Sequence, residues 1–245
     1  MSGRIPPGAP FVLKGWRSAE LRFAEGTAQS RMSRWFPDRL VVDYTRTMLG
    51  ALALVPAPRR IGMVGLGGGS QAKFLHRHLP GAEIEVFEIN PGVIALRREF
   101  RIPDDNARFR VVEADAAAQL RERVDAYDLL LVDGYDASGI PAALSTQRFY
   151  ADCRASLRDG GVVAINLYDT AHAEHLHRLR LAFGAAQTAV VDEPRQSNRV
   201  AFGWVVPLAL PGTATMLTKA GRRELADVLP RIAALVGRGH ASVRR

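Results

Sequence analysis

"MVGLGGGSQAKF", residues 63–74, decides how the chain is read. An apolar run ends at Gly65, glycines stand at Gly67, Gly68 and Gly69, and a helical pattern opens at Ser70. Strand, glycine turn and helix in that order form the first crossover of a doubly wound sheet. There a ligand lies against bare backbone, beside the free N–H groups of the helix start. A dinucleotide fingerprint G-x-G-x-x-G would need glycine where Ser70 stands, and the G-K-[ST] of a phosphate loop is missing.

The same alternation continues outward. Strands are predicted at 61–65, 84–88, 109–113, 127–133, 162–167, 188–191 and 199–206, and helices at 70–79, 91–100, 116–123, 146–157 and 172–183. Apolar strands separated by helices imply a mostly parallel seven-stranded sheet covered on both faces, an α/β Rossmann-like architecture. Only the loop DEPRQSN separates the last two strands, which predicts an antiparallel pair at the sheet edge. Gly160 and Gly161 read as the turn into 162–167. Upstream, residues 17–33 read as a hairpin turning at Glu25-Gly26, and 38–54 as a helix ended by Pro56 and Pro58. Downstream, 218–235 reads as one helix, followed by a frayed GRGHASVRR. The expected organisation is an N-terminal β-rich and helical extension (1–57), a Rossmann-like ligand-binding domain (58–206), and a basic C-terminal helix and tail (207–245).

Bulk properties narrow the class. With 245 residues and 47% hydrophobic content, the chain can bury a substantial core. A single cysteine, Cys153, excludes an intramolecular disulfide and fits a reducing compartment. No apolar run reaches the ~18 residues of a membrane span, and MSGRIPPGAPF lacks the apolar centre of a signal peptide. A soluble cytoplasmic protein is the expectation. The net charge of +8 is spread along the chain with no nucleic-acid module, so it reads as a basic surface rather than a nucleic-acid footprint. His172, His175 and His177 lie close together without a cysteine or carboxylate cluster to complete a site, so no metal is expected.

Acids stand at the ends of three further strands. Glu88 closes the second, where a carboxylate can accept the two hydroxyls of a ribose. Asp115 closes the third, placed to meet an adenine amino group, and Asp133 and Asp136 lie on the loop after the fourth. On that loop both acids would face the ligand crevice.

Four stretches, "GLGGGS", "VFEINPGVI", "VVEADA" and "YDLLLVDGYDASGIPAALSTQRFYADCRASLRDGGVVAINL", make the chain resemble the spermidine synthase (polyamine aminopropyltransferase) family. A weaker match covers "AEGTAQSRMSRWFPDRLVVDYTRTML". The resemblance implies a class I methyltransferase-type sheet behind a small β-rich N-terminal unit. It implies an adenosyl donor, decarboxylated S-adenosylmethionine or S-adenosylmethionine, bound as co-substrate, a small-molecule amine as acceptor, and often a homodimer. Residue by residue, it implies that Gly65, Gly67, Gly68 and Gly69, with Ser70, line the nucleoside site. Glu88 would hold the ribose, Asp115 with Ala116 the adenine, and Gln29 would touch the nucleoside from the N-terminal unit. Asp133 matches the catalytic base, while Asp136 and Tyr44 match amine-pocket residues.

Departures from the family cluster at amine recognition. Ser70 stands where the family's acid grips the donor's aminopropyl amine, and Gln71 follows it. Thr45 and Arg46 replace the histidine and glutamate after the family's tyrosine, and Ala137 replaces a proline. Asp43 and Asp169 are the acids that could substitute for those lost. Three expectations follow. One is aminopropyl transfer with Asp133 as base. The second is methyl transfer from S-adenosylmethionine, whose carboxylate Ser70 tolerates better than an aspartate would. The third is a nucleoside-binding or interaction homologue without catalysis.

Overall fold

The computed structural model describes residues 9–23, 28–136, 139–168, 172–193, 198–208 and 216–241, with backbone only for 237–241. Three short strands come first: β1 (Pro10–Lys14), β2 (Ser18–Phe23) and β3 (Ser30–Ser33), an antiparallel sheet in that order. The β2–β3 pairing matches the predicted hairpin, whose Glu25-Gly26 turn lies outside the described residues. β1 was not anticipated; PFVLK, beside a cluster of prolines, lacks the alternation that marks a strand and is ordered by pairing with β2.

The main sheet contains β4 (Arg60–Val64), β5 (Glu83–Glu88), β6 (Phe109–Glu113), β7 (Tyr127–Val132), β8 (Leu157–Tyr168), β9 (Thr188–Glu193) and β10 (Asn198–Trp204). Its spatial order is β6-β5-β4-β7-β8-β10-β9. β10 runs antiparallel to both β8 and β9, the expected edge arrangement. The chain winds outward from β4 in both directions, so the crevice between β4 and β7 is the topological switch point where such sheets bind ligands.

Helices α1 (Asp43–Leu49), α2 (Ser70–His78), α3 (Pro91–Ala95), α4 (Ala116–Arg121), α5 (Gln147–Ala155), α6 (His172–Phe183), α7 (Lys219–Glu224) and α8 (Val228–Ala241) cover the sheet. Side chains alternate across each strand. Leu129 and Leu131 of β7 join a core with Met48, Phe74 and Ile232, while Leu130 and Val132 join one with Phe149, Cys153 and Leu179. The first core continues into Leu21 and Met32 of the small sheet.

Several boundaries differ from the sequence pattern, each for a local reason. The helix expected from Asp38 begins at Asp43, because Glu224 accepts the Leu40 N–H at 2.7 Å and Arg77 pairs with Asp38. It tightens into a 3-10 turn at Gly50–Ala53, where α8 crosses closely. α3 stops at Ala95 rather than Phe100; the chain then turns and leaves through Arg101 at φ +53°. The expected turn at Gly160–Gly161 is an irregularity inside a longer β8, since Tyr127 pairs with Leu157 but Leu129 with Val162. The helix expected over 218–235 is two. Pro230 lacks an N–H and would clash with the carbonyl four residues back, so a new helix starts at Val228 with proline in its first turn. The helical backbone then runs to Ala241, further than expected for a frayed end.

Gly50 is the contact that admits α8. A Cβ there would sit 2.5 Å from Ile232 Cγ1 and 2.7 Å from Val228 Cγ1, both stiff branched side chains. Gly50→Ala is therefore expected to lower unfolding free energy by about 1–3 kcal/mol despite its better helix propensity. Urea denaturation checks this; an unchanged midpoint would mean that α8 does not pack as described.

Candidate active site

The switch point brings two strand exits into contact. Gly65 N–H donates to Phe87 O and Asp133 N–H to Val64 O, each at 2.9 Å, which locks the ends of β5, β4 and β7 together. Gly65 has φ +89°, and a Cβ on it would overlap the Asp133 carbonyl. Only glycine fits there. Gly67 and Gly69 also have positive φ, and Gly69 leads directly into α2. A Cβ at Gly68 would meet Ser30 Oγ at 2.6 Å, so the small sheet caps the glycine loop. Gln29 stands beside that contact, half-buried, its N–H bonded to Leu21 O at 2.8 Å.

The neighbouring strand ends carry the expected acids. Glu88 is buried; its two carboxylate oxygens accept from Leu66 N–H and Asn90 N–H, each at 2.9 Å. Each oxygen keeps a second lone pair, so both can still accept a hydroxyl. Asp115 is exposed and caps α4, accepting from Ala117 N–H at 2.9 Å, with Ala116 buried behind it. Bare backbone, a helix start and these two carboxylates fit a nucleoside-bearing ligand by their chemistry.

Asp133 follows β7 directly and is gripped from three sides. Tyr44 Oη donates to Oδ2 at 3.0 Å, Asn166 Nδ2 to Oδ1 at 2.8 Å, and Gln71 Nε2 approaches Oδ2 at 3.4 Å. Desolvation raises the carboxyl above the ordinary aspartate range, against the opposing pull of Asn166 and Tyr44. Desolvation also pushes the Tyr44 phenol well above its usual value, helped by the Asp133 charge, so Tyr44 stays a donor. Asn166 is in turn held by Asn198, whose Nδ2 donates to Oδ1 at 2.8 Å. Asp136 is exposed, and its N–H bonds Gly139 O at 2.9 Å.

The positions expected to differ from the family pattern have structural partners. Thr45 is buried and donates to Val42 O at 2.6 Å. Arg46 points to the α7–α8 junction, donating to Glu224 O at 3.0 Å and pairing with Asp227. Residues two apart on a helix do not share a face, so the Arg46 charge is directed away from the Tyr44–Asp133 pair. Of the two acids expected to substitute, Asp169 lies outside the described residues, and Asp43 occupies the first turn of α1. The acid brought to the Tyr44 side of α1 is instead Glu193, bonded to Thr47 and, at 2.7 Å, to Arg231.

Two residues that meet Asp133, Asn166 and Gln71, are not among the contacts that the sequence predicts. Asn166 was legible as a lone amide inside the apolar run VVAINL. Gln71 is only 5% exposed, its Nε2 has weak contacts to Asp133 and to Met48 Sδ (3.3 Å), and no protein group among the described residues donates to its Oε1. An unsatisfied buried amide oxygen costs about 1–3 kcal/mol.

Comparison with solved structures gives the class first. A probable spermidine synthase from Corynebacterium glutamicum superposes with TM-score 0.71 at 19% identity, covering 88% of this chain and 82% of that one. Human methyltransferase-like protein 13, solved with SAH, gives TM-score 0.61 at 24% identity, covering 79% and 93%. The fold is the methyltransferase-type α/β sheet that both share. The spermine/spermidine synthase domain family matches residues 38–180. The polyamine aminopropyltransferase of Chromobacterium violaceum is 37% identical over 212 residues, 85% of this chain and 78% of its own length. The chain belongs to the spermine/spermidine synthase family and is a transferase. No helix among the described residues is long and apolar enough to cross a membrane.

The Asp133 environment makes a signed prediction. Asn166→Leu or Tyr44→Phe removes a donor from the ionised carboxylate, so the already raised pKa should rise further. Carboxyl-carbon NMR titration of Asp133 reads it; a fall would mean that these groups do not stabilise the charge.

Proposed function

We propose that the chain transfers an aminopropyl group from decarboxylated S-adenosylmethionine to a polyamine-type amine, with Asp133 as base. The observation that carries this reading is the Asp133 carboxyl. It is raised in pKa by burial, oriented by Tyr44 and Asn166, and joined through backbone to the glycine loop. Family membership supports the reaction class.

Gly65, Gly67, Gly68, Gly69 and Ser70 would cradle the donor, Glu88 its ribose, Asp115 and Ala116 its adenine, and Gln29 would close over it from the small sheet. Tyr44 and Asp136 would border the amine. Asp133 takes a proton from the acceptor ammonium. The freed nitrogen lone pair then attacks the methylene beside the sulfonium. The carbon–sulfur bond breaks with its electrons passing to sulfur, which leaves as a neutral thioether; the product departs as a secondary ammonium, and Asp133 returns its proton to solvent. A base of raised pKa accepts that proton more readily than an ordinary aspartate, so less driving force is lost in the transfer.

Ser70 favours a second reading, methyl transfer from S-adenosylmethionine. A neutral serine at the donor's amino-acid end does not repel a carboxylate.

Turnover and binding of both donors with putrescine, spermidine and neutral acceptors decide between the two. Aminopropyl products from the decarboxylated donor are expected; tight binding of the carboxylated donor alone would sink the first reading. Because Asp133 acts ionised, the rate should fall as pH drops through its raised pKa, above the usual aspartate range. Asp133→Asn should abolish turnover and spare donor affinity. A raised folded pKa means that stability is fullest with the carboxyl protonated and is lost as pH rises through the raised value. The neutral amide should therefore leave Tm at pH 7 equal to or above that of the wild type. Retained turnover would remove Asp133 from the chemistry.

A further inference from the structure

β8 runs on past the point where β7 stops pairing with it. The last partners are Val132 and Ile165, and β8 continues to Tyr168. Carrying that register onward would set Gly134 against Leu167. In a parallel ladder the N–H of such a residue meets the Asn166 carbonyl, and its own carbonyl meets the Tyr168 N–H. Here both of those β8 groups are taken by one side-chain atom instead. Tyr135 Oη donates to Asn166 O at 3.0 Å and accepts the Tyr168 N–H. A phenol carries one donor and free acceptor lone pairs, so a single hydroxyl can replace both groups of the residue that β7 withdraws. Tyr135 is thus a side-chain substitute for one residue of a strand.

The substitution matters because of the residue it holds. Asn166 is buried, and three of its polar groups are engaged. Its carbonyl accepts from Tyr135, its Oδ1 accepts from Asn198 Nδ2 at 2.8 Å, and its Nδ2 donates to Asp133 Oδ1 at 2.8 Å. On its other edge its backbone pairs with Val200 of β10. The Tyr135 bond is therefore what ties this end of β8 to the segment that carries Asp133. An asparagine side chain is short, so its amide follows any movement of its own backbone. Burial pushes the Tyr135 phenol above its ordinary range, so the hydroxyl stays protonated and keeps donating.

We propose that Tyr135 is a positioning residue for Asp133: its hydroxyl fixes the end of β8 and thereby keeps the Asn166 amide aimed at the carboxylate. β7 can end at Val132 without leaving the polar groups of β8 unpaired, which would cost stability at each group. Tyr135 acts through Asn166 and has no role in holding donor or acceptor. The sign of its effect follows from the partner it steadies. The Asn166 hydrogen bond favours the ionised carboxylate, so loosening it raises the pKa of Asp133 further. The effect on turnover rests on the functional reading above, in which Asp133 is the base. The effect on the ionisation of Asp133 does not.

Wild type, Tyr135→Phe, Asn166→Leu and the double variant form the cycle that tests this. Carboxyl-carbon NMR titration reads Asp133 without substrate. A pH–rate profile with 1,4-diaminobutane and decarboxylated S-adenosylmethionine reads turnover, and mass spectrometry identifies the group transferred. Tyr135→Phe should raise the Asp133 pKa and move the acid limb of kcat to higher pH. On the low-pH side kcat should fall by about 3- to 10-fold, the scale of one hydrogen bond, with donor KM unchanged. In the Asn166→Leu background the same change should add no further shift, because the group it acts through is gone. An additive shift, or an Asp133 pKa unmoved by Tyr135→Phe, overturns the proposal. A tyrosine that only supports the fold would lower Tm and leave that pKa where it was. Amide hydrogen exchange at Tyr168 keeps the test decisive should the double variant not fold. Exchange at least 10-fold faster in Tyr135→Phe supports the assignment, and unchanged protection rejects it. If the chain turns over no decarboxylated donor, the functional reading fails, and the NMR cycle still judges Tyr135.

Discussion

The close approach of Gly65 to the carbonyl of Asp133 is the constraint on which the site depends. It lets β4 and β7 end side by side, each exit tied to a neighbouring strand by one backbone hydrogen bond. Any side chain at Gly65 would push the strand ends apart. The glycine loop and the Asp133 carboxylate are therefore parts of one rigid corner. Remote elements reinforce it. The Cβ position of Gly69 lies 2.5 Å from Ile102, and buried Lys73 of α2 donates to Phe100 O at 2.7 Å, pinning the turn after α3 beside the loop. Desolvation lowers the Lys73 ammonium to about 8, and its hydrogen bond among the described residues is to that carbonyl.

Helix α1 distributes three tasks over its faces. Tyr44 reaches Asp133, Arg46 fastens the junction of the last two helices, and Thr47 meets Glu193 at the end of β9. Spacing of three places Tyr44 and Thr47 on one side, and spacing of two turns Arg46 away. An arginine two residues after Tyr44 looks on paper like a positive charge set beside Asp133. In three dimensions its charge is spent on Asp227 and a helix-terminal carbonyl. Glu193 gives that side of α1 an acid, already compensated by Arg231.

The sheet was legible because its signals are local and repeated. Apolar strands, glycine turns and prolines at helix starts recur, and the edge pair follows from a loop too short to hold a helix. Glu88, Asp115 and Asp133 were legible for the same reason: an acid at the end of a buried strand must lie at the rim of the crevice. Boundaries governed by distant partners were not legible. Glu224 holds Leu40 from across the chain, and α8 requires Gly50 to have no side chain.

The sequence by itself determined the order of elements, the glycine loop, the row of strand-end acids and the family they imply. Strand and helix periodicity and turn chemistry act between near neighbours and need no knowledge of the fold. Tertiary structure alone decided which polar groups meet Asp133. Tyr44, Gln71 and Asn166 are separated from it by 89, 62 and 33 residues, and only packing brings them together. It also decided that the Arg46 charge leaves the site and that one amide oxygen of Gln71 is left without a protein donor among the described residues. Those outcomes depend on the direction in which each side chain leaves its helix or strand, and the assembled sheet sets that direction.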